Sequence, residues 1–279
     1  MSTYIGPLGG MVNVGCLTTI DIDQQQKIVE RTDINGGPSE QRFGRPWRTW
    51  SCGIDALEPS ELARLKALQA SQDASWWFVP CDAVTGNVLP PPAVDFTGWV
   101  VTGTGRNLYT GGIVDLADGG LAVRSALPDY TGTDWAYSSP LFPLNPDGGP
   151  FTASIYARAG VGLTAAMRVK YYDGAGNPIP TGPVSASATT TTSSGPLERL
   201  VVTETPSGLA AGAHAGRIQF RGAAVVANPA VTFTDTVQDW TDGRGAEHVS
   251  LRAPGERLLS TVPDHQLTSA TFTVRELTR

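Results

Sequence analysis

Short stretches in which apolar and polar residues alternate recur along this chain, and Gly, Pro, Asn or Asp separates each from the next. Alternation with a period of two places one set of side chains on each face of a β-strand. The clearest apolar sets, which we expect to face a core, are Phe151, Ala153, Ile155 and Ala157, then Ala165, Met167, Val169 and Tyr171, then Ile218 and Phe220. About ten such stretches within roughly 145 residues predict a β-sandwich over 93–237.

Residues 57–71 have the pattern of a helix instead. Pro59 suits a first helical turn, and leucines recur every three residues from Leu62 to Leu68. Beyond this helix, the sequence at 77–79 predicts a strand that enters a core. Three prolines then occupy 90–92 and predict a stiff linker, since proline fixes φ and disfavours helix interiors and central strands. We therefore place a domain boundary after residue 92.

The last segment, 238–279, holds two or three more strands. Its final strand places Ala270, Phe272 and Val274 on one face. We expect these terminal strands to return to the module formed by 1–92, which makes that module discontinuous. The predicted fold class is mainly β, with one helix in the outer module and a β-sandwich inserted into it.

Charge and composition exclude several classes of protein. The formal net charge is −6 and no basic cluster occurs, so we expect no nucleic-acid partner. The three cysteines are widely spaced without a CxxC motif, which predicts reduced, buried thiols in a cytoplasm. The N-terminus lacks the pattern of a signal peptide, and no apolar run approaches the roughly 20 residues of a membrane span, so we expect no membrane insertion.

The sequence does not predict a catalytic site. None of the three histidines belongs to a zinc or nucleophile motif, and neither GxSxG nor a P-loop is present. The acidic residues that could act as glycosidase carboxylates lie mainly at strand ends and turns: Asp134, Asp173, Glu198 and Asp235. Turn aspartates usually bind their own backbone. We therefore expect no enzyme activity, cofactor or metal.

Aromatic and basic residues recur on the outward side of the stretches at 151–159 and 165–172. These candidate carbohydrate-binding residues are Tyr156, Arg158, Arg168, Lys170 and Tyr172. Sugar C–H faces stack on aromatic rings, and sugar hydroxyls suit charged partners. A solvated sheet surface has the same composition, so both interpretations stay open. Trp99 and Trp135 are the alternative residues for stacking against a sugar, although we expect both to lie inside the sandwich core.

Three stretches, taken in order, resemble a known family. Residues 46–91 are similar to the opening domain of minor tail proteins of tailed bacteriophages that infect high-GC Gram-positive hosts, with a strand, a Pro-started helix and a "WFVP" strand. The stretches at 150–160, 165–179, 197–206 and 215–220 resemble carbohydrate-binding-module-like jelly rolls. Residues 229–251 and 267–277 are similar to the closing portion of the same tail proteins.

The resemblance implies a structural virion protein of the phage tail tip, assembled in the host cytoplasm. Residues 1–92 and 238–279 would form a hub like that of distal tail proteins, which assemble into rings, and 93–237 would project towards host surface glycans. Its implied partners are further copies of itself, the tail tube and other tail-tip proteins. The acidic ladder that holds calcium in many carbohydrate modules is not evident here. The alternative is a stand-alone carbohydrate-binding module without an assembly role.

A ring needs head-to-tail contacts between subunits. Trp and Arg are enriched at interface hot spots, and the strand at 42–52 carries four of them. The candidate assembly residues are Arg45, Trp47, Arg48 and Trp50. Period-two alternation places Trp47 and Trp50 on opposite faces, so a core position for one of the two is the alternative.

Overall fold

The computed structural model describes residues 2–15, 17–32, 38–57, 59–71, 76–179, 185, 187–205, 207, 209–262 and 265–277. The protein is mainly β with few helices, as predicted. Among the described residues, no helix combines the length and apolar character that a membrane span requires.

The N-terminal segment supplies strands, the long helix and two short helices. In chain order these are β1 (Tyr4–Pro7), β2 (Val12–Asn13), β3 (Thr19–Thr32), β4 (Pro38–Leu57), α1 (Pro59–Ala70), β5 (Trp76–Val79), α2 (Cys81–Thr85) and α3 (Pro91–Val94). Helix α1 begins at Pro59 and buries Leu62 and Leu65, which confirms the predicted helix. Strand β5 is buried along its whole length, also as predicted.

The middle of the chain forms a β-sandwich, as predicted. Its strands are β6 (Val100–Val101), β7 (Leu108–Thr110), β8 (Val114–Asp115), β9 (Leu121–Ala122), β10 (Ser125–Pro128), β11 (Tyr137–Ser138), β12 (Phe142–Pro143), β13 (Phe151–Ala159), β14 (Ala165–Tyr172), β15 (Ala188–Thr190), β16 (Glu198–Glu204), β17 (Ala215–Arg221) and β18 (Ala223–Thr232). One sheet has the order β16-β13-β18-β10-β7, and the other has β15-β14-β17-β11-β6 with β12 beside β17. Strands β8 and β9 form a separate small hairpin.

The period-two pattern identified the residues of the sandwich core. Every residue of the three predicted inward sets is at most 2% exposed. Residues from both sheets pack into one hydrophobic cluster, in which Ile155 of β13 and Val169 of β14 are fully buried. Burial of such side chains is worth about 1.5–3 kcal/mol each, so the alternation determines which face of each strand turns inward.

The chain then returns to the N-terminal segment through β19 (Ala246–Val262) and β20 (His265–Glu276). The resulting seven-stranded sheet has the order β2-β1-β5-β19-β20-β4-β3, so the last two strands lie at its centre. Phe272 pairs with Cys52 and Val274 with Trp50. Ala270, Phe272 and Val274 are buried in the same cluster as the α1 leucines, as the sequence pattern predicted for that face. The domain limits 1–92, 93–237 and 238–279 stay a prediction.

The prolines at 90–92 do not form a linker, so that prediction is wrong. Pro91 opens α3, because proline is well suited to the first turn of a helix. The neighbouring Leu89 and Ala93 are fully buried. They belong to the same hydrophobic cluster as the sandwich core and Val79 at the end of β5. The outer module and the sandwich therefore share apolar contacts across the predicted boundary.

Asn87 joins the chain that enters the sandwich to the chain that leaves it. Its fully buried side chain donates from Nδ2 to the carbonyls of Pro229 and Thr241, both at 3.1 Å. Its Oδ1 accepts from the backbone N–H of Leu89 at 3.2 Å and of Val231 at 3.1 Å. All four partners are main-chain atoms, and the bonds to Pro229, Leu89 and Val231 are buried.

Further contacts fix the two modules against each other at a second place. The Tyr4 hydroxyl donates to Asp147 Oδ2 at 2.8 Å, and Asn13 Nδ2 donates to the same oxygen at 2.9 Å. Burial, followed by the hydrogen bond to Asp147, raises the pKa of Tyr4 to about 12. Gly9 approaches Gly174 so closely that a Cβ on Gly9 would lie 2.9 Å from the Gly174 Cα.

We predict that Asn87→Ala destabilises the protein by about 2–5 kcal/mol, since it leaves several buried backbone groups unpaired. Asn177→Ala, in an exposed turn, is the control and should change the free energy of unfolding by less than about 0.5 kcal/mol. Urea denaturation of both variants measures the difference. Equal, small losses would show that Asn87 does not join the two segments.

A second prediction concerns the returning chain, which lies directly against residues 88–89. A Cβ on Gly245 would sit 1.8 Å from the Val88 carbonyl oxygen, so the backbone must move to accept it. We expect Gly245→Ala to cost about 1–3 kcal/mol in thermal or urea unfolding. Gly112→Ala has no heavy atom within 4 Å of its new Cβ and should be close to neutral. A neutral Gly245→Ala would be inconsistent with this close approach.

Candidate functional site

The five predicted carbohydrate-binding residues do not share one face, so that grouping is wrong. Strand β13, with Tyr156 and Arg158, belongs to the five-stranded sheet, whereas β14, with Arg168, Lys170 and Tyr172, belongs to the other sheet. Both strands turn their apolar residues towards the common core, so their polar residues point to opposite sides of the sandwich. The short connection at 160–164 crosses between sheets, and nothing in the period-two pattern distinguishes such a crossing from a hairpin.

Tyr156 cannot serve as a stacking surface, because it is 2% exposed. The β8–β9 hairpin covers it, and its ring packs in a cluster with Leu116, Ala122 and Leu197. Its hydroxyl donates to Asp118 Oδ2. Burial, followed by that hydrogen bond, raises the pKa of Tyr156 to about 12. Arg158, on the same strand, donates from Nη1 to the Gly195 carbonyl at 3.0 Å.

The outer side of the six-stranded sheet carries a dense group of cationic and aromatic side chains, which we call the arginine face. Its members are Trp135, Arg168, Lys170, Tyr172, Arg217 and Arg221. Strands β14 and β17 place their outward residues side by side, and Lys170 pairs directly with Arg217. Three of these six were predicted as site residues. Arg217 and Arg221 were not among the candidates, because strand pairing, which the sequence does not give, brings them beside Lys170 and Arg168.

Trp135 lies at one end of the arginine face beneath two guanidinium groups. The Arg168 and Arg221 carbons Cζ lie 4.1 and 4.6 Å from its ring centroid. Arg168 Nε donates to Gln219 Oε1 at 3.0 Å, and Arg221 Nη1 donates to the Thr133 carbonyl at 2.8 Å. Burial, followed by the positive charge of Arg221, lowers the pKa of Arg168. Trp135 is half-buried here, so its predicted core position is wrong; Trp99, by contrast, is buried in the core.

Tyr172 forms a similar arrangement at the other end of the face. Arg217 Cζ lies 5.3 Å and Lys170 Nζ 5.8 Å from the Tyr172 ring centroid. The Arg217 Nε is buried and has no hydrogen-bond partner in the described structure. The hydrogen-bonding capacity of Arg217 is therefore not fully used among the described residues.

Four positive charges on this face form no ion pair with a carboxylate in the part of the chain that the structure describes. Among the described residues, no ion pair includes Arg168, Lys170, Arg217 or Arg221. Asp134 lies near enough for the charge of Arg221 to contribute to its lowered pKa. Its hydrogen bonds, however, come from Arg106 and Tyr130, both at 3.0 Å. The face is a locally cationic surface on an acidic protein.

Three of the four acidic glycosidase candidates, Asp134, Asp173 and Glu198, are held as anions. Hydrogen bonds from Arg106 and Tyr130 lower the pKa of Asp134, and turn N–H groups with the Asn177 side chain lower that of Asp173. The hydroxyls of Thr190 and Thr192 lower the pKa of Glu198. A general acid needs a raised pKa, so these three carboxylates are poorly suited to that role. Within the described ranges, no group of three or more His, Cys, Asp or Glu side chains could hold a metal ion.

Two of the predicted assembly residues contact the interior of their own chain, so their assignment to a subunit interface is wrong. Trp50 is 1% exposed and packs edge-on against Phe78. Arg48 binds Glu276 with Nε to Oε2 at 3.1 Å and Nη2 to Oε1 at 3.2 Å, and Nη2 also donates to the Gly245 carbonyl at 2.8 Å. These contacts connect β4 to the end of β20 and to the returning chain.

Trp47 remains a candidate for an intersubunit contact. It lies on the opposite face of β4 from Trp50, as the alternation predicted, and is half-buried. Arg275 of β20 lies 5.8 Å from its ring centroid, and the indole Nε1 is buried without a partner in the described structure. Arg45 belongs to β4, but its side chain lies outside the described residues.

Comparison with known proteins gives little further information. No family model matches the chain, and no curated protein matches it significantly. One similar solved structure is the enzymatically active domain of tailspike protein 4 from bacteriophage CBA120, at 15% identity and a TM-score of 0.38, covering 53% of this chain and 21% of that one. Another is the CBM22-1-GH10 part of xylanase 10B from Clostridium thermocellum complexed with xylohexaose, at 12% identity and a TM-score of 0.36, covering 58% and 29%. This chain thus spans less than a third of either matched chain, and at these scores neither supports a conclusion about function.

Mutation of the Arg48–Glu276 ion pair tests whether Arg48 stabilises the fold of its own chain. Both side chains are largely buried, at 13% and 18% exposed, so removal of one partner leaves a poorly solvated charge. We expect Arg48→Ala to cost about 3–5 kcal/mol and the double-mutant cycle with Glu276→Ala to give a coupling energy of at least about 1 kcal/mol. Urea denaturation at several protein concentrations measures both. Zero coupling would contradict the internal ion pair, and a loss seen only in oligomers would assign Arg48 to a subunit interface.

Proposed function

We propose that this chain is a non-enzymatic virion protein of a bacteriophage tail tip. Its seven-stranded sheet assembles into a homo-oligomeric ring that contacts other tail proteins, and its sandwich contacts host surface glycans. Assembly takes place in the host cytoplasm. The family resemblance of the sequence suggests this function, and the following structural features support it.

The observation that carries the assembly role is a long arm formed by β3 and β4. These strands pair from Thr19 with Gly53 out to Thr32 with Pro38, whereas β20 pairs with β4 only from Thr49 to Leu57. Among the described residues, the part of β4 before Thr49 therefore pairs with β3 alone. An isolated two-stranded hairpin is only marginally stable in water, and its open edges can pair with another chain. An arm of this length is suited to pairing with a strand of a neighbouring subunit.

The layout of the chain supports the same function. Both ends of the chain lie in one sheet and the sandwich is inserted between them, which is the arrangement that the resemblance implies. Asn87 and the Tyr4–Asp147 bond fix the sandwich against that sheet. A rigidly attached sandwich would be presented at a constant angle by every copy in a ring.

The absence of enzyme activity is part of the proposal. The lowered pKa values of Asp134, Asp173 and Glu198 favour carboxylates that stabilise turns and strand ends. Incubation with host cell wall should therefore release no sugars or peptides. Release of either product would reverse this part of the proposal.

Deletion of the arm tests the assembly role. Gln25 pairs with Trp47, so replacing 26–46 by Asn-Gly closes the same two strands with a tight hairpin turn. By mass photometry, we expect the full chain to form closed oligomers and the shortened chain to be monomeric with an unchanged circular dichroism spectrum. Trp47→Ala should weaken assembly, whereas Trp135→Ala, on the sandwich, should not.

Two results would contradict the assembly role. One is a full chain that stays monomeric at high micromolar concentration, and the other is a shortened chain that assembles as well as the full one. A monomer that still binds glycans would support the stand-alone carbohydrate-binding module instead.

A further inference from the structure

We infer that the arginine face binds an acidic polysaccharide. This inference rests on the proposed contact between the sandwich and host glycans, and it specifies both the surface and the chemical class of the ligand. It assigns the binding to Trp135, Arg168, Lys170, Tyr172, Arg217 and Arg221, and it excludes Tyr156 and Arg158, which lie on the other side of the sandwich.

The first argument is charge. Four cations converge on one sheet face of a protein whose formal net charge is −6. Arg168 and Arg221 are held over the same indole ring, an arrangement in which their like charges repel. No described carboxylate forms an ion pair with either one. An anionic ligand would relieve this repulsion and form charge-assisted hydrogen bonds.

The second argument concerns the aromatic rings. Guanidinium groups lie over Trp135, and Arg217 with Lys170 lies near the ring of Tyr172. The rings thus hold cations in place and offer less free surface for stacking on a neutral sugar. Planar guanidinium groups match carboxylates in a two-point fork, so the face is better suited to acidic groups than to flat C–H surfaces.

The third argument concerns unsatisfied and neighbouring polar groups. In the described structure the Arg217 Nε has no acceptor, so this guanidinium group is not fully hydrogen-bonded within its own chain. Exposed Thr189 pairs with Ala166 at the edge of the same face and offers a hydroxyl to sugar hydroxyls. Single-stranded nucleic acid, the other common polyanion, binds largely by stacking bases on open aromatic rings. The cations that occupy these rings therefore favour an acidic saccharide.

Affinity electrophoresis of the full chain tests this inference. Polygalacturonate serves as the acidic probe, dextran as the neutral probe and a single-stranded DNA oligonucleotide as the competing polyanion. We expect retardation in polygalacturonate that weakens with added salt, and none in dextran. DNA should compete poorly.

Matched variants locate the site. Arg168→Gln with Arg221→Gln should weaken polygalacturonate binding by about tenfold or more, and Lys170→Gln with Arg217→Gln should do the same at the other end of the face. Arg124→Gln with Arg158→Gln removes the same charge elsewhere and should leave binding within about twofold. Circular dichroism spectra confirm that each variant is folded.

The outcomes separate this inference from the proposed function. Equal losses in all three double variants would show attraction by overall charge alone and overturn the inference. Equal competition by DNA would overturn the saccharide assignment. Binding of dextran that survives both arginine-face variants would refute the inference but leave a glycan-binding role. No binding of any saccharide, host cell wall included, would refute both.

Discussion

The central constraint on this structure is that the last two strands of the chain lie in the middle of its first sheet. Strands β19 and β20 separate β5 from β4, although only residues 58–75, which include α1, lie between those two in the sequence. The N-terminal strands consequently cannot complete their hydrogen bonding or bury their apolar face until the C-terminal segment is present. Arg48 reinforces this closure, since its guanidinium group binds the carboxylate of Glu276 and the carbonyl of Gly245. A mutation near residue 276 is therefore expected to affect the N-terminal sheet directly.

A second consequence of that closure is the rigid attachment of the sandwich. The entering segment at 87–89 and the returning segment at 241–245 lie against each other, and the buried side chain of Asn87 satisfies main-chain groups on both sides. Tyr4, Asp147 and the close approach of Gly9 to Gly174 add a separate contact. Independent domains on flexible linkers move relative to one another by default, but buried hydrogen bonds and a shared apolar cluster restrain such motion here.

The sequence predicts a structural feature correctly where that feature depends on residues close together in the chain. The alternation around Ile155 and Val169 identified the buried faces because a residue's side of a strand depends only on its immediate neighbours. Pro59 and the spaced leucines predicted α1 for the same reason. The sheet to which β13 or β14 belongs depends on long-range pairing, so Tyr156 was wrongly grouped with Lys170. The bidentate contact of Arg48 with a residue 228 positions away had no local signal. The prolines at 90–92 were misjudged because their burial depends on sandwich residues distant in the sequence.

Asn87 recognises the sandwich only through carbonyl and amide groups of its backbone. Such recognition is indifferent to the side chains of the inserted segment, and the two ends of that segment enter and leave at the same place. A different β-sandwich with a similar backbone path at its ends could take this position without loss of those bonds. The Asn87 bonds therefore place little constraint on the side chains of the inserted sandwich, which can vary while those bonds are kept.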